Sequence, residues 1–123
     1  MNRRSFLAAL LALPATPAFA AATANARTPA AEIEALIQRV AAARGVIFIR
    51  NGSEYAAADA AKHLRRKLDA SKGRIRTPEA FIDKLGSRSS MSGKAYRVRL
   101  PDGRVVDSAT WLNGLLADIR AGR

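Results

Sequence analysis

No cysteine occurs anywhere in this 123-residue chain. A chain of this length has room for one hydrophobic core, and without disulfides that core must supply the stability by packing alone. One small domain is therefore expected, and both apolar periodicity and turn residues must be read for how it is assembled.

The first twenty residues do not belong to that core. A basic start (Asn2, Arg3, Arg4) leads into the apolar run Phe6–Leu13 and then to Pro14, Pro17 and Ala18-Phe19-Ala20. This is the pattern of a cleavable export signal, with the cut expected between Ala20 and Ala21. Eight apolar residues fall far short of the roughly 20 that span a bilayer, so no transmembrane anchor is expected. Arg3-Arg4-Ser5-Phe6-Leu7 resembles a twin-arginine signal, although no lysine follows Leu7; an ordinary Sec signal with two arginines is the alternative. Residues 21–28, without periodicity, read as a flexible leader before a domain over 29–123.

The whole chain carries 21 Lys and Arg against 10 Asp and Glu; losing Arg3 and Arg4 with the signal leaves 19 against 10. A cytosolic chain so basic would suggest nucleic acid. An exported one meets anionic envelope surfaces, phosphorylated glycans or acidic partners instead, and no nucleic acid is expected. Sixteen of the basic residues are arginine and 27 residues are alanine, a bias that a GC-rich genome produces without selection for binding.

Along the mature chain, Thr28-Pro29 starts a helix over 29–44, with Ile33, Leu36, Ile37 and Val40 at helical spacing and Gly45 as its stop. Val46-Ile47-Phe48-Ile49 is a buried strand, apolar on both faces and hence central, closed by the turn Asn51-Gly52. A second helix is predicted from Glu54 to Ser71, its acids first and its bases last, as the helix dipole favours. Thr77-Pro78 starts a short third helix that stops at Gly86. Residues 87–94 form a serine-rich loop. Tyr96, Val98 and Leu100 alternate with arginines, and Pro101-Asp102-Gly103 turns that strand toward Val105-Val106. Ser108 caps a last helix carrying Trp111, Leu112, Leu115, Leu116 and Ile119. The fold class is α+β, in the order α-β-α-α-β-β-α, with helices on a sheet of about three strands.

The only histidine, His63, lies four residues from both Asp59 and Lys67, so a regular helix places all three along one face. Either a structural histidine within a charge ladder or a binding group fits that spacing. The loop Ser87-Arg88-Ser89-Ser90-Met91-Ser92-Gly93-Lys94 brings hydroxyls, cations and a glycine together, as an anion site requires. It departs from a phosphate-binding Walker loop, since Ala95 follows Gly93-Lys94, and a polar linker whose serines bond their own turn reads equally well. Arg50, leaving the buried strand, requires a carboxylate partner or an anionic ligand. Serine hydrolysis through Ser90 or Ser92 lacks a nucleophile elbow, and one histidine without cysteine falls short of a zinc site. No metal, cofactor or catalytic set is assigned, and a binding role outranks an enzymatic one.

Phe48-Ile49-Arg50-Asn51-Gly52, then His63-Leu64 and Lys67-Leu68, Thr77, Glu79 and Phe81-Ile82-Asp83, and finally Ser89-Ser90, Ser92-Gly93-Lys94 and Tyr96 together resemble the YfeK family. The likeness covers roughly residues 46–100. It implies a small exported bacterial protein, periplasmic, with no catalytic residues to carry over. Some members have a cysteine near Ala57, and its absence here implies that any shared activity proceeds without a thiol. The likeness also falls on the polar residues singled out above. The leading expectation is thus a periplasmic binding or accessory module whose ligand-binding residues are Arg50, Asn51, His63, Lys67, Ser89, Ser90, Ser92, Gly93, Lys94 and Tyr96. Its partner would be an anionic small ligand or an acidic peptide. The alternatives are an envelope interaction module using Arg97, Arg99 and Arg104, and a small hydrolase or transferase.

Overall fold

A computed structural model describes residues 27–123. The expected signal over 1–20, its Ala20–Ala21 cleavage site, the Arg3–Arg4 pair and all but the end of the 21–28 leader lie outside the described residues.

Helix α1, Pro29–Ala41, starts where the sequence places it: Thr28 Oγ1 accepts the Ala31 N–H at 3.1 Å, and Pro29 fills the first turn. Strand β1, Ile47–Arg50, follows. Asn51 and Gly52 both take positive φ, 51° and 84°. Two such residues make the tight hairpin turn whose twist matches paired strands. The chain therefore folds straight back as strand β2, Ser53–Ala56, and helix α2 runs only from Ala57 to Ala70. The expected start of the second helix at Glu54 is corrected accordingly. The sheet has four strands rather than three, and the order becomes α-β-β-α-α-β-β-α.

Thr77 caps α3, Pro78–Phe81, by accepting the Ala80 N–H at 3.1 Å, and the helix widens into a π-helical turn over Ile82–Gly86. Strands β3, Arg97–Arg99, and β4, Val105–Asp107, form the expected hairpin, and α4 spans Ser108–Arg120. Asp107, not Ser108, occupies the cap position of α4; Ser108 is its first residue, fully buried, with no partner for its hydroxyl.

The strands run antiparallel in the order β2-β1-β3-β4. Their register aligns Tyr55, Phe48, Val98 and Val106 on one face. That face carries the helices, α2 over β1 and β2 and α4 over β3 and β4, with Trp111 of α4 edge-on to Phe48 at 5.6 Å between ring centres. Helix α1 packs on α2 and α4. Leu36, Val40, Phe81, Val98 and Leu112 lie fully buried between them. Strand β1 is interior in the sheet, as expected, but only one of its faces is covered. Ile47 and Ile49 are half-buried on the other, beside the Arg99–Glu54 and Arg97–Asp107 ion pairs.

Arg120 joins three helices, donating to Glu32 of α1 at 2.7 and 3.0 Å and pairing with Glu79 of α3 at 2.9 Å. The hydrogen bonds from Arg120 hold the Glu32 carboxyl below its ordinary pKa although burial opposes the shift. Among the described residues no helix is long and apolar enough to cross a membrane.

Candidate functional site

Alternation along β1 puts Arg50 on the same face as Phe48, under the helices, just where the Asn51-Gly52 turn ends the strand. A cavity of about 270 Å³ opens there between the β1–β2 hairpin and α2. Arg50 lines it, and its Nε is buried without a hydrogen-bond partner. A buried guanidinium N–H without an acceptor is costly, and a ligand oxygen would remove that cost.

Successive turns of α2 add Asp59 and His63, four residues apart, and Arg66 also faces the cavity. His63 is half-buried, and its pKa lies below the usual imidazole value, first through burial and then through the charges of Arg50, Lys67 and Arg66. The shift therefore favours the neutral imidazole at pH 7. Phe48, Tyr55, Leu64 and Tyr96 supply the apolar wall.

Of the ten expected ligand residues, the structure brings Arg50, His63 and Tyr96 to this cavity. Lys67 is not among its lining residues. Its Nζ donates to the Leu85 carbonyl at 2.8 Å and the Tyr96 hydroxyl at 3.1 Å and sits 5.0 Å from the Tyr96 ring centre. Lys67 thus ties α2 to the π-helical turn and fixes Tyr96, whose ring forms part of the wall.

The serine loop satisfies itself. Ser89 is 2% exposed, and its Oγ accepts weakly from the amides of Met91 and Ser92 at 3.3 and 3.4 Å. Its N–H donates to the Lys94 carbonyl, and its own carbonyl accepts from Gly93. Ser92 donates to Asn51 Oδ1 at 2.8 Å and accepts the Lys94 N–H at 3.2 Å. This bond moors the loop to the hairpin turn beside Arg50, and Asn51 serves that contact as well as the turn. Ser90 lines a separate, open depression with Lys67, Arg74 and Lys84. The Lys94 side chain is exposed, and none of Ser89, Ser90, Ser92, Gly93 and Lys94 lines the cavity at Arg50.

Arg66 and Tyr55 are the lining residues that sequence reasoning missed. Tyr55 pairs with Phe48 across the hairpin, and an Asn-Gly turn followed by an aromatic three residues after the glycine carried that signal.

Acidification gives the site a measurable consequence. As pH falls through about 6.5 the unfolded chain takes up the His63 proton first, because the folded imidazole titrates lower. Stability is thus expected to begin falling below about pH 6.5, well before the depressed carboxylates of Glu32, Glu34 and Glu54 contribute their own loss at lower pH. Urea midpoints between pH 7.5 and 5.5 test this. The His63→Gln variant should be nearly flat in that window, and a decline parallel to the wild type would refute the assignment.

A small α+β domain with a cationic cavity beside a hairpin is thus the class that fold and site define. Residues 27–120 match a family of unknown function (DUF5329). The chain is also 41% identical over 90 residues to the uncharacterized protein YfeK of Salmonella typhimurium (strain LT2), covering 73% of this chain and 70% of that one. The chain belongs to this YfeK-like family of unknown function. No solved structure matches it.

Proposed function

We propose that this protein is an exported, periplasmic binding module whose cavity between β1, β2 and α2 holds a small anion. The observation that carries the reading is Arg50, whose buried Nε–H has no acceptor among the described residues while His63 and Arg66 line the same cavity. A neutral imidazole can donate one further hydrogen bond at pH 7. The export half rests on the residues before Ala21 and on the arginine pair.

The competing interaction surface is weakened by pairing within the chain. Arg97 faces Asp107, Arg99 is bidentate to Glu54, and Arg104 is held by Asp102, so the hairpin arginines already have their carboxylates. The hydrolase reading through Ser90 or Ser92 lacks its nucleophile, since neither lines the cavity at His63.

Calorimetric titration with acetate and with inorganic phosphate tests the binding reading, using mature protein recovered from the osmotic-shock fraction of its host. At least one anion should bind. The Arg50→Gln variant should bind it at least about tenfold more weakly, the loss expected when a charged hydrogen bond of about 1.5–3 kcal/mol is removed. Its melting temperature should stay close to that of the wild type. Equal binding by the variant, or no binding of either anion by the wild type, would overturn the reading, and absence of the protein from the shock fraction would overturn its periplasmic half.

A further inference from the structure

We infer that the ligand is a small monocarboxylate with an apolar body, of the aryl or branched-alkyl type, held in preference to a phosphate. This deepens the anion-binding reading and rests on it. Three features of the cavity select this class.

The first is the wall. Phe48, Tyr55, Leu64 and Tyr96 present two phenol rings, a phenyl ring and a leucine side chain to the space that Arg50 enters from the strand end. A bare phosphate satisfied at Arg50 would leave that wall wet, whereas a carboxylate carrying a ring or branched chain covers it and gains the apolar burial. The second is charge. The lining holds two guanidiniums, Arg50 and Arg66, and the Asp59 carboxylate. With the imidazole of His63 neutral, one net positive charge remains, which a monoanion balances and a phosphate dianion exceeds. The third is size. An apolar cavity of about 150 Å³ accepts benzene. A cavity of about 270 Å³ accommodates a ring together with a short carboxylate arm.

Each part of such a ligand then has its own place. The carboxylate meets the Arg50 Nε–H, a donor fixed in the guanidinium plane and suited to a planar acceptor. The body lies along Phe48, Leu64 and Tyr96, with the Tyr96 ring held in position by the Lys67 cation. Tyr55, 40% exposed on the edge strand, closes the outer side.

Three probes separate the possibilities in titrations of the mature protein followed by amide chemical shifts. Phenylacetate carries both charge and ring, inorganic phosphate carries charge alone, and 2-phenylethanol is a neutral relative of phenylacetate. Phenylacetate should bind at least about tenfold more tightly than either of the others, with shifts on β1, β2 and the first half of α2. Tyr55→Ala, with its β1 and β2 amide shifts checked for an intact hairpin, should weaken phenylacetate severalfold. Arg50→Gln should reduce phenylacetate to the level of phenylethanol. Phosphate binding as tightly as phenylacetate or more so would overturn this ligand class and leave the anion site standing. Phenylethanol matching phenylacetate, or no probe binding, would overturn both.

Discussion

Replacing Phe81 by alanine is expected to destabilise the protein by about 3–5 kcal/mol. Phe81 is fully buried and belongs to the single core cluster that joins α1, α3, α4 and the sheet. It closes the short α3, which begins at the Thr77 cap and has only four α-helical residues before the π-helical turn. So short an element draws little stability from its own hydrogen bonds and is held in place by this ring. Removing the ring leaves a cavity and loosens the turn that carries Leu85, whose carbonyl accepts from Lys67. A domain of this size has about 5–15 kcal/mol in total. The melting temperature should therefore fall by roughly 12 °C or more, read by circular dichroism. A shift under about 5 °C would show that Phe81 does not anchor the core.

Gly86→Val is the second large effect, and its cause is space. A Cβ at Gly86 would stand 2.6 Å from Leu112 Cδ1, and Leu112 is itself fully buried. The π-helical turn and α4 meet here with room for a hydrogen and nothing more. Overpacking of this kind costs about 1–3 kcal/mol or more, and the branched valine adds two methyls beyond the clashing Cβ. Leu112→Ala should be costly alone, yet combining it with Gly86→Val should cost clearly less than the two single losses together, because the truncation makes room. Urea denaturation of the four proteins measures that coupling. Strict additivity would place the cost of Gly86→Val elsewhere.

Most of the fold was legible because its signals are local. Thr28-Pro29 and Thr77-Pro78 start helices where they should, the stripe of α1 is buried as its spacing requires, and that of α4 is buried at Leu112, Leu116 and Ile119 with Trp111 and Leu115 half-buried beside them. Strand β2 was not legible as a strand, because Ser53-Glu54-Tyr55-Ala56 has no β-branched residue and Glu54 suits a helix start. What makes it a strand lies elsewhere in the chain: the turn geometry of Asn51-Gly52, the Phe48 partner of Tyr55, and Arg99, which reaches Glu54 from β3. At the site, Arg50 and His63 could be singled out from their residue types. The serine loop drew the same attention through its composition, but hydrogen bonds within it and to Asn51 consume Ser89 and Ser92, and only the fold reveals that. Lys67 likewise reads as a free cation in the sequence and is a crosslink in the structure.

The Arg50 Nε–Hε resonance offers the most direct test of the cavity as an anion site. Followed by NMR in the mature protein during titration with phenylacetate, it should shift saturably, in step with the His63 ring protons, as the unpartnered N–H acquires an acceptor. A resonance that stays fixed while other parts of the protein respond to phenylacetate would contradict the assignment of this cavity.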